Sequence, residues 1–257
     1  HGKTLLALLI TALAQEQGAK VTLVDLENSE DEDWIRGQGI NYDELLVIKP
    51  KIGVFDKKVP DGFDAWKKDK QKKWIERNSR LETAQEVCAE AEMRMESVHE
   101  SDPEGKQIVI VDSAAMILVE EEAEAGLTGQ NMRTSQARAS FLYKLLRRWN
   151  GLAFNYNCMI IFINHLLVKP GKVYGSPFYR PAGDALNYGS SVMVEIRRGK
   201  DLMQGTKKIG LTGILINRKN KAGGGSYEGA RSGFTTKFGK REWRFPPVEE
   251  KAQEVEE

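Results

Sequence analysis

The chain opens "HGKTLLALLITALAQ". Gly2-Lys3-Thr4 ahead of an apolar helical run has the form of the last three residues of a phosphate-binding loop, G-x-x-x-x-G-K-[ST]. Such a loop points backbone N–H groups at phosphate, sends a lysine to the β/γ-phosphates and offers a hydroxyl to magnesium. Lys3 and Thr4 supply the last two, and the first half of the motif would precede residue 1. A GKT tripeptide also arises by chance at the start of ordinary helices. A second element is "IVIVDS", where Asp112 ends a hydrophobic strand downstream of the GKT helix. A carboxylate there holds magnesium through water, although a strand-end Asp capping the next turn leaves the same trace. The third is Glu27, at the end of the strand directly after that helix, where a carboxylate can polarise a water in line with a γ-phosphate. Order and spacing together favour nucleoside-triphosphate hydrolysis over coincidence.

Such residues work only if strand ends bring them together. "TLLALLITALAQEQG" reads as a helix stopped by Gly18, and "KVTLVDLE" as a β-branched strand. "NSEDEDWIRGQG" starts with capping residues and acids suited to a helix N-terminus, and "ELLVIKP" is a short strand ended by Pro50. An irregular stretch then gives way to a lysine-rich helical pattern carrying Lys67, Lys68, Lys70, Lys72 and Lys73, read as a solvated helix face rather than a second DNA site. "LETAQEVCAEAEMRM" is a surface helix. "KQIVIVDSAAMIL" sets a continuous apolar run before Asp112, the pattern of a doubly buried parallel strand. "VEEEAEAGLTGQNMRT" reads as a Gly-punctuated loop, "TSQARASFLYKLLRRWNGLA" as an amphipathic helix and "CMIIFIN" as a buried strand, with "SVMVEIRRG" and "TGILINRKNK" as later strands. Alternating strands and helices predict an α/β fold, a mostly parallel β-sheet flanked by helices on both faces. Ligands in such sheets sit beyond the carboxyl ends of the strands, which selects Glu27, Asp112, Ser113, Asn164 and His165.

Bulk properties narrow the classes. At 257 residues the chain can bury one substantial core, and its 40% hydrophobic and 29% charged composition is ordinary for a globular protein. A net charge of +1 announces no global attraction to nucleic acid, so any basic surface must be local. Cys88 and Cys158 are too few and too far apart for a disulfide framework or a zinc site, which fits a reduced, cytoplasmic compartment. "LLALLITALA" lacks a basic leader, contains Thr11 and runs into "QEQG", against a signal peptide or a membrane span.

The order "GKT … VDLEN … IVIVDSAAMI … FINH … GSPFYRPAGDALNYGSSVMVEIRRG … NRKNK" resembles the P-loop NTPase core of the RecA-type recombinases, including their phage UvsX-like members, from residue 1 to about residue 221. Its most specific part is "GDALNYGSSVMVEIRR", similar to the exit of that family's second DNA-binding loop. The resemblance implies ATP and Mg2+ as cofactors. Gly2, Lys3 and Thr4 would bind phosphate, with Thr4 and Asp112 on magnesium and Ser113 completing its shell. Glu27 would activate water, and Asp31 and Trp34 would flank adenine. His165 falls where bacterial RecA has a glutamine that senses the γ-phosphate; the alternative is a strand-end histidine satisfied by a backbone carbonyl. Lys219 and Lys221 match a lysine pair that reaches a neighbouring subunit's ATP site, and as a bare pattern they are a solvated charge run.

Two loops follow from the resemblance as DNA contacts. In the first, Gln130, Asn131 and Arg133 are the candidates. In the second, Lys169, Lys172 and Arg180 can pair with phosphates, and Tyr174, Phe178 and Tyr179 offer faces for splayed bases before Gly183 opens the "GDAL" element. The expected protein is an ATP-dependent recombinase core over residues 1–245, with a charged insert at about 50–80 and an acidic flexible tail at 246–257. It would bind single-stranded and double-stranded DNA as a helical filament of identical subunits, with single-strand-binding or mediator proteins as further partners and no membrane. A hexameric helicase or branch-migration ATPase of the same fold, and a nucleotide-free mediator or DNA-binding relative, are the competing readings. The retained Lys3, Thr4, Glu27, Asp112 and "RKNK" favour a piece of a longer product over a complete chain lacking half a phosphate cradle.

Overall fold

The computed structural model describes residues 2–53, 58–125, 132–168, 178–179, 183–223, 229–238 and 242–245. In chain order the elements are α1 (Lys3–Gln15), β1 (Lys20–Asp25), α2 (Glu32–Gly37), β2 (Leu45–Ile48), β3 (Ile52–Gly53), α3 (Lys68–Asn78), β4 (Arg80–Leu81), α4 (Ala84–Ser101) and β5 (Gln107–Asp112). They continue with α5 (Glu120–Ala125), α6 (Met132–Asn155), β6 (Cys158–Phe162), β7 (Leu167–Val168), β8 (Phe178–Tyr179), α7 (Gly183–Gly189), β9 (Val192–Gln204), β10 (Lys207–Asn220), β11 (Arg231–Lys237) and β12 (Glu242–Arg244). Two compact units result: Leu13–Asp31 with Asn41–Gly189, and His1–Ala12 with Glu32–Ile40 and Ser190–Glu257.

The first unit holds a four-stranded parallel sheet in the order β2-β1-β5-β6. Every residue of β5 is buried, as its uninterrupted apolar run predicts for an interior parallel strand. The last pair of the β1–β5 register sets Asp25 opposite Asp112. Helix α4 lies on β1, β2 and β5, and α6 on β6. Val87, Ala91 and Met95 from α4 join Val109 and Val111 from β5 and Leu142 and Trp149 from α6 in one core. Each large aliphatic side chain buried there contributes about 1.5–3 kcal/mol. Trp149 is fully enclosed and donates its indole N–H to Glu92 at 2.9 Å. Cys88 and Cys158 are both buried free thiols, and burial pushes each up to about 12, so neither is reactive at neutral pH.

Two sequence expectations change here. The "CMIIFIN" strand, expected to be buried, is half covered, with Met159 46% exposed, because β6 ends the sheet order among the described residues. The acidic start of "VEEEAEAGLTGQNMRT" is helical rather than looped. Acids suit a helix N-terminus, and Glu122 of α5 is tied to Arg138 of α6 at 2.9 Å.

The lysine-rich insert is a small structure closed at its base. Strands β3 and β4 pair antiparallel, Ile52 against Leu81 and Gly53 against Arg80. Phe63 packs its ring 5.3 Å from Trp66 and 5.2 Å from Trp74, and Gln71 donates to the Phe63 carbonyl at 2.8 Å. The lysines of α3 remain exposed, as a solvated helix face requires.

The second unit holds β9–β12 as an antiparallel sheet in the order β12-β11-β10-β9. The two later strands of the sequence reading are therefore real but pair with each other, not with the parallel set. Gly213 lies under Phe234, where a Cβ would come within 2.4 Å of the ring, and Phe234 stacks on Trp243 at 5.0 Å. Most of β9 is half-covered or exposed, and its Glu195 holds Arg197 at 2.6 Å and Arg218 at 2.7 Å. Among the described residues no helix is long and apolar enough to cross a membrane.

Candidate active site

The carboxyl ends of β1, β5 and β6 carry the polar residues that the hydrophobic strands exclude. Asp25, the last residue of β1, is buried, and its carboxylate accepts the N–H groups of Glu27 at 3.2 Å and Glu30 at 2.9 Å. The turn between them passes through Asn28 at φ 51, a left-handed conformation asparagine tolerates better than most residues. Glu30 in turn accepts from the Tyr42 hydroxyl and the Lys49 ammonium. Those two hydrogen bonds, Lys49 first, hold its carboxyl below the usual range against the opposing effect of burial. The turn that presents Glu27 is thus pinned at both ends.

Glu27 meets residues from the next two strands of the sheet, β5 and β6. The Ser113 hydroxyl, just past β5, donates to Glu27 Oε1 at 2.5 Å, and His165 Nε2, just past β6, lies 2.9 Å from the same oxygen. Backbone bonds brace the three strand ends: Leu26 N–H donates to the Asp112 carbonyl at 2.7 Å, and Ala114 N–H to the Ile163 carbonyl at 2.8 Å. His165 is further set by its own N–H, which donates to Asn164 Oδ1 at 2.8 Å. Asp112 is buried beside Asp25. A buried strand-end carboxylate suits magnesium, which takes one or two carboxylates and fills its octahedron with phosphate and water. Among the described residues no group of three or more His, Cys, Asp or Glu forms a protein cage, and magnesium does not need one.

Of the sequence candidates, the structure brings Glu27, Ser113 and His165 into contact, with Asp112 at the adjoining strand end. Asp31 is exposed in the same unit. Gly2, Lys3, Thr4 and Trp34 belong to the other unit. There Gly2 takes φ +88, a conformation L side chains rarely adopt, and its carbonyl accepts Leu6 N–H at 3.0 Å to open α1. Lys3 and Thr4 occupy the first turn of α1, where backbone N–H groups have no intrahelical partner and favour anions. Trp34 lies half-buried on α2. Lys219 and Lys221 stand at the end of β10, and burial, then the charge of Lys221, lowers the Lys219 ammonium from its ordinary value.

The DNA candidates Gln130, Asn131, Lys169, Lys172, Tyr174 and Arg180 lie outside the described residues, as do the side chains of Arg133, Phe178 and Tyr179. Strands β7 and β8 pair on either side of residues 169–177, Leu167 against Tyr179, and Gly183 starts α7. Sequence reasoning passed over Asp25. The available signal was an acid at the last strand position, two residues before the candidate base.

Residues 86–226 match the family described as the RecA N-terminal domain. That span includes Asp112, Ser113, His165, Lys219 and Lys221, and leaves out Lys3, Thr4 and Glu27. Protein RecA of Sulfurimonas denitrificans is 29% identical over 210 residues, covering 81% of this chain and 49% of that protein. Protein RecA of Acholeplasma laidlawii is 30% identical over 220 residues, covering 86% and 54%. The chain thus spans about half the length of the curated relatives it matches. A crystal structure of the RadB recombinase aligns with 91% of this chain and 81% of its own at 18% identity, with a TM-score of 0.47.

Proposed function

Because this chain belongs to the RecA family, whose N-terminal domain it carries over residues 86–226, we propose that it is the ATPase core of a DNA recombinase. In this reading it binds single-stranded DNA, assembles as a filament and promotes homologous pairing, with the core over residues 1–245 and the UvsX-like members as its nearest type. Three adjacent parallel strand ends converging on Glu27 are the observation that carries it. Open α/β sheets bind ligands at that edge, and a carboxylate oriented there by two donors is what water activation needs.

Glu27 takes the proton of the attacking water as the water's oxygen bonds to the γ-phosphorus and the bond from that phosphorus to the bridging oxygen breaks, ADP leaving. Lys3 and the N–H groups of the first turn of α1 would hold phosphate oxygens, and Thr4 and Asp112 would hold magnesium. Bound magnesium supplies neutralisation of the charge on the phosphate oxygens. Asp31 and Trp34 flank the base, Trp34 by stacking. Lys219 and Lys221 reach the nucleotide of a neighbouring subunit. Arg133, Lys169, Lys172, Tyr174, Arg180 and Gly183 contact DNA.

The test is ATP hydrolysis with and without single-stranded DNA, beside Glu27→Gln. Removing a general base costs about 10²–10⁴-fold, so DNA-stimulated turnover should fall by at least about a hundredfold in the variant. DNA binding without turnover in the unaltered chain would favour the mediator reading instead.

A further inference from the structure

Glu27 Oε1 receives two side chains that no assigned role requires to meet there: the Ser113 hydroxyl at 2.5 Å and His165 Nε2 at 2.9 Å. A carboxylate only accepts, so the His165 nitrogen facing it carries a proton, whichever form the rest of the ring takes. Two donors on one oxygen fix the rotation of the carboxylate about its last torsion, which is otherwise broad. The donors are themselves held by the backbone bonds between β1, β5 and β6 described above, so the arrangement is rigid down to the main chain. Glu27 stays 29% exposed and His165 41% exposed, so water reaches the group they orient.

We infer that Ser113 and His165 form a clasp that positions the Glu27 carboxylate for water activation. They are positioning residues acting through Glu27, distinct from the magnesium and γ-phosphate roles that the family resemblance implies for them. The inference rests on the ATPase reading of the site. Because the bond from His165 is donated by an N–H, a glutamine amide can replace it and a leucine of similar bulk cannot.

Steady-state ATP hydrolysis by the full chain separates the possibilities, using His165→Leu, His165→Gln, Ser113→Ala, Glu27→Gln and the double variant His165→Leu/Glu27→Gln. Groups that act as a unit are non-additive, so His165→Leu should lower kcat about tenfold with KM for ATP held within about twofold. His165→Gln should recover kcat to within about threefold of the unaltered chain, and the double variant should be no slower than Glu27→Gln alone. Ser113→Ala, a smaller change that leaves the backbone bonds intact, should lower kcat in the same KM-neutral way, and it covers the case in which His165→Leu fails to fold. A raised KM with unchanged kcat, a glutamine no better than leucine, or full additivity with Glu27→Gln each overturns the clasp while leaving the ATPase reading in place. No turnover by the unaltered chain overturns both.

Discussion

The strand-end cluster around Glu27 and the lysine-rich insert are both rich in charge, and the structure treats them in opposite ways. At the strand ends, Asp25 and Asp112 are buried, and Asp25, Glu27, Glu30, Ser113 and His165 are joined across three strands by named hydrogen bonds. In the insert, the lysines of α3 are exposed; Lys72 reaches Glu76 only at 4.0 Å, while Lys70 lies over the Trp66 ring at 3.8 Å. A buried polar group must be partnered or it costs the full desolvation penalty, whereas an exposed charge exchanges water for little. Charge alone therefore says nothing about importance; burial with partners does.

The widest contrast should come from the core that supports the strand ends. Trp149→Ala removes a fully buried ring and leaves Glu92 without its indole donor, so it should destabilise by about 3–5 kcal/mol in urea unfolding. An effect below about 1 kcal/mol would mean the core collapses to fill the space. Asp25→Ala comes next. It strips the acceptor from the Glu27 and Glu30 N–H groups and should cost about 1–3 kcal/mol. It should also slow hydrolysis, because the turn presenting Glu27 loosens; stability loss with unchanged turnover would separate the turn from the chemistry.

At the boundary between the two regions sits Glu86, at the start of α4. The Arg80 guanidinium, with the Thr83 N–H and hydroxyl, holds its carboxyl down to about 2 against the opposing effect of burial. Its contribution is therefore complete above the ordinary value of 4.5 and is lost as pH falls towards 2. Glu86→Gln should cost about 1 kcal/mol at neutral pH, mostly the capping bond, and this difference should shrink between pH 4.5 and 2. A difference that persists at pH 2 would break the assignment. The smallest effect belongs to the insert. Replacing Lys68, Lys72 and Lys73 together by glutamine should move stability by no more than about 0.5 kcal/mol, and a larger loss would show that these lysines do more than solvate the helix.

The legibility of the molecule divides along the same line. Strand β5 was readable because burial on both faces leaves an uninterrupted apolar run ending in Asp112. Helix α1 was readable because Gly18, at φ +79, stops an apolar pattern that begins at GKT. The half-exposed state of β6 and the separate antiparallel pairing of β9 with β10 were not, because edge position and partner choice depend on strand order, and a strand's own residues record only its alternation.

The sequence by itself determined the residue types at each strand end and the order in which GKT, Glu27, Asp112 and His165 occur, and through residues 86–226 the family to which the chain belongs. Tertiary structure alone decided that Ser113, 86 residues from Glu27, and His165, 138 residues from it, share one carboxylate oxygen, and that Asp25 holds the turn that carries it. Local patterns report what a residue's immediate neighbours require. A hydrogen bond across three strands is set by which strands lie side by side, and that is settled only when the whole sheet assembles and its core closes.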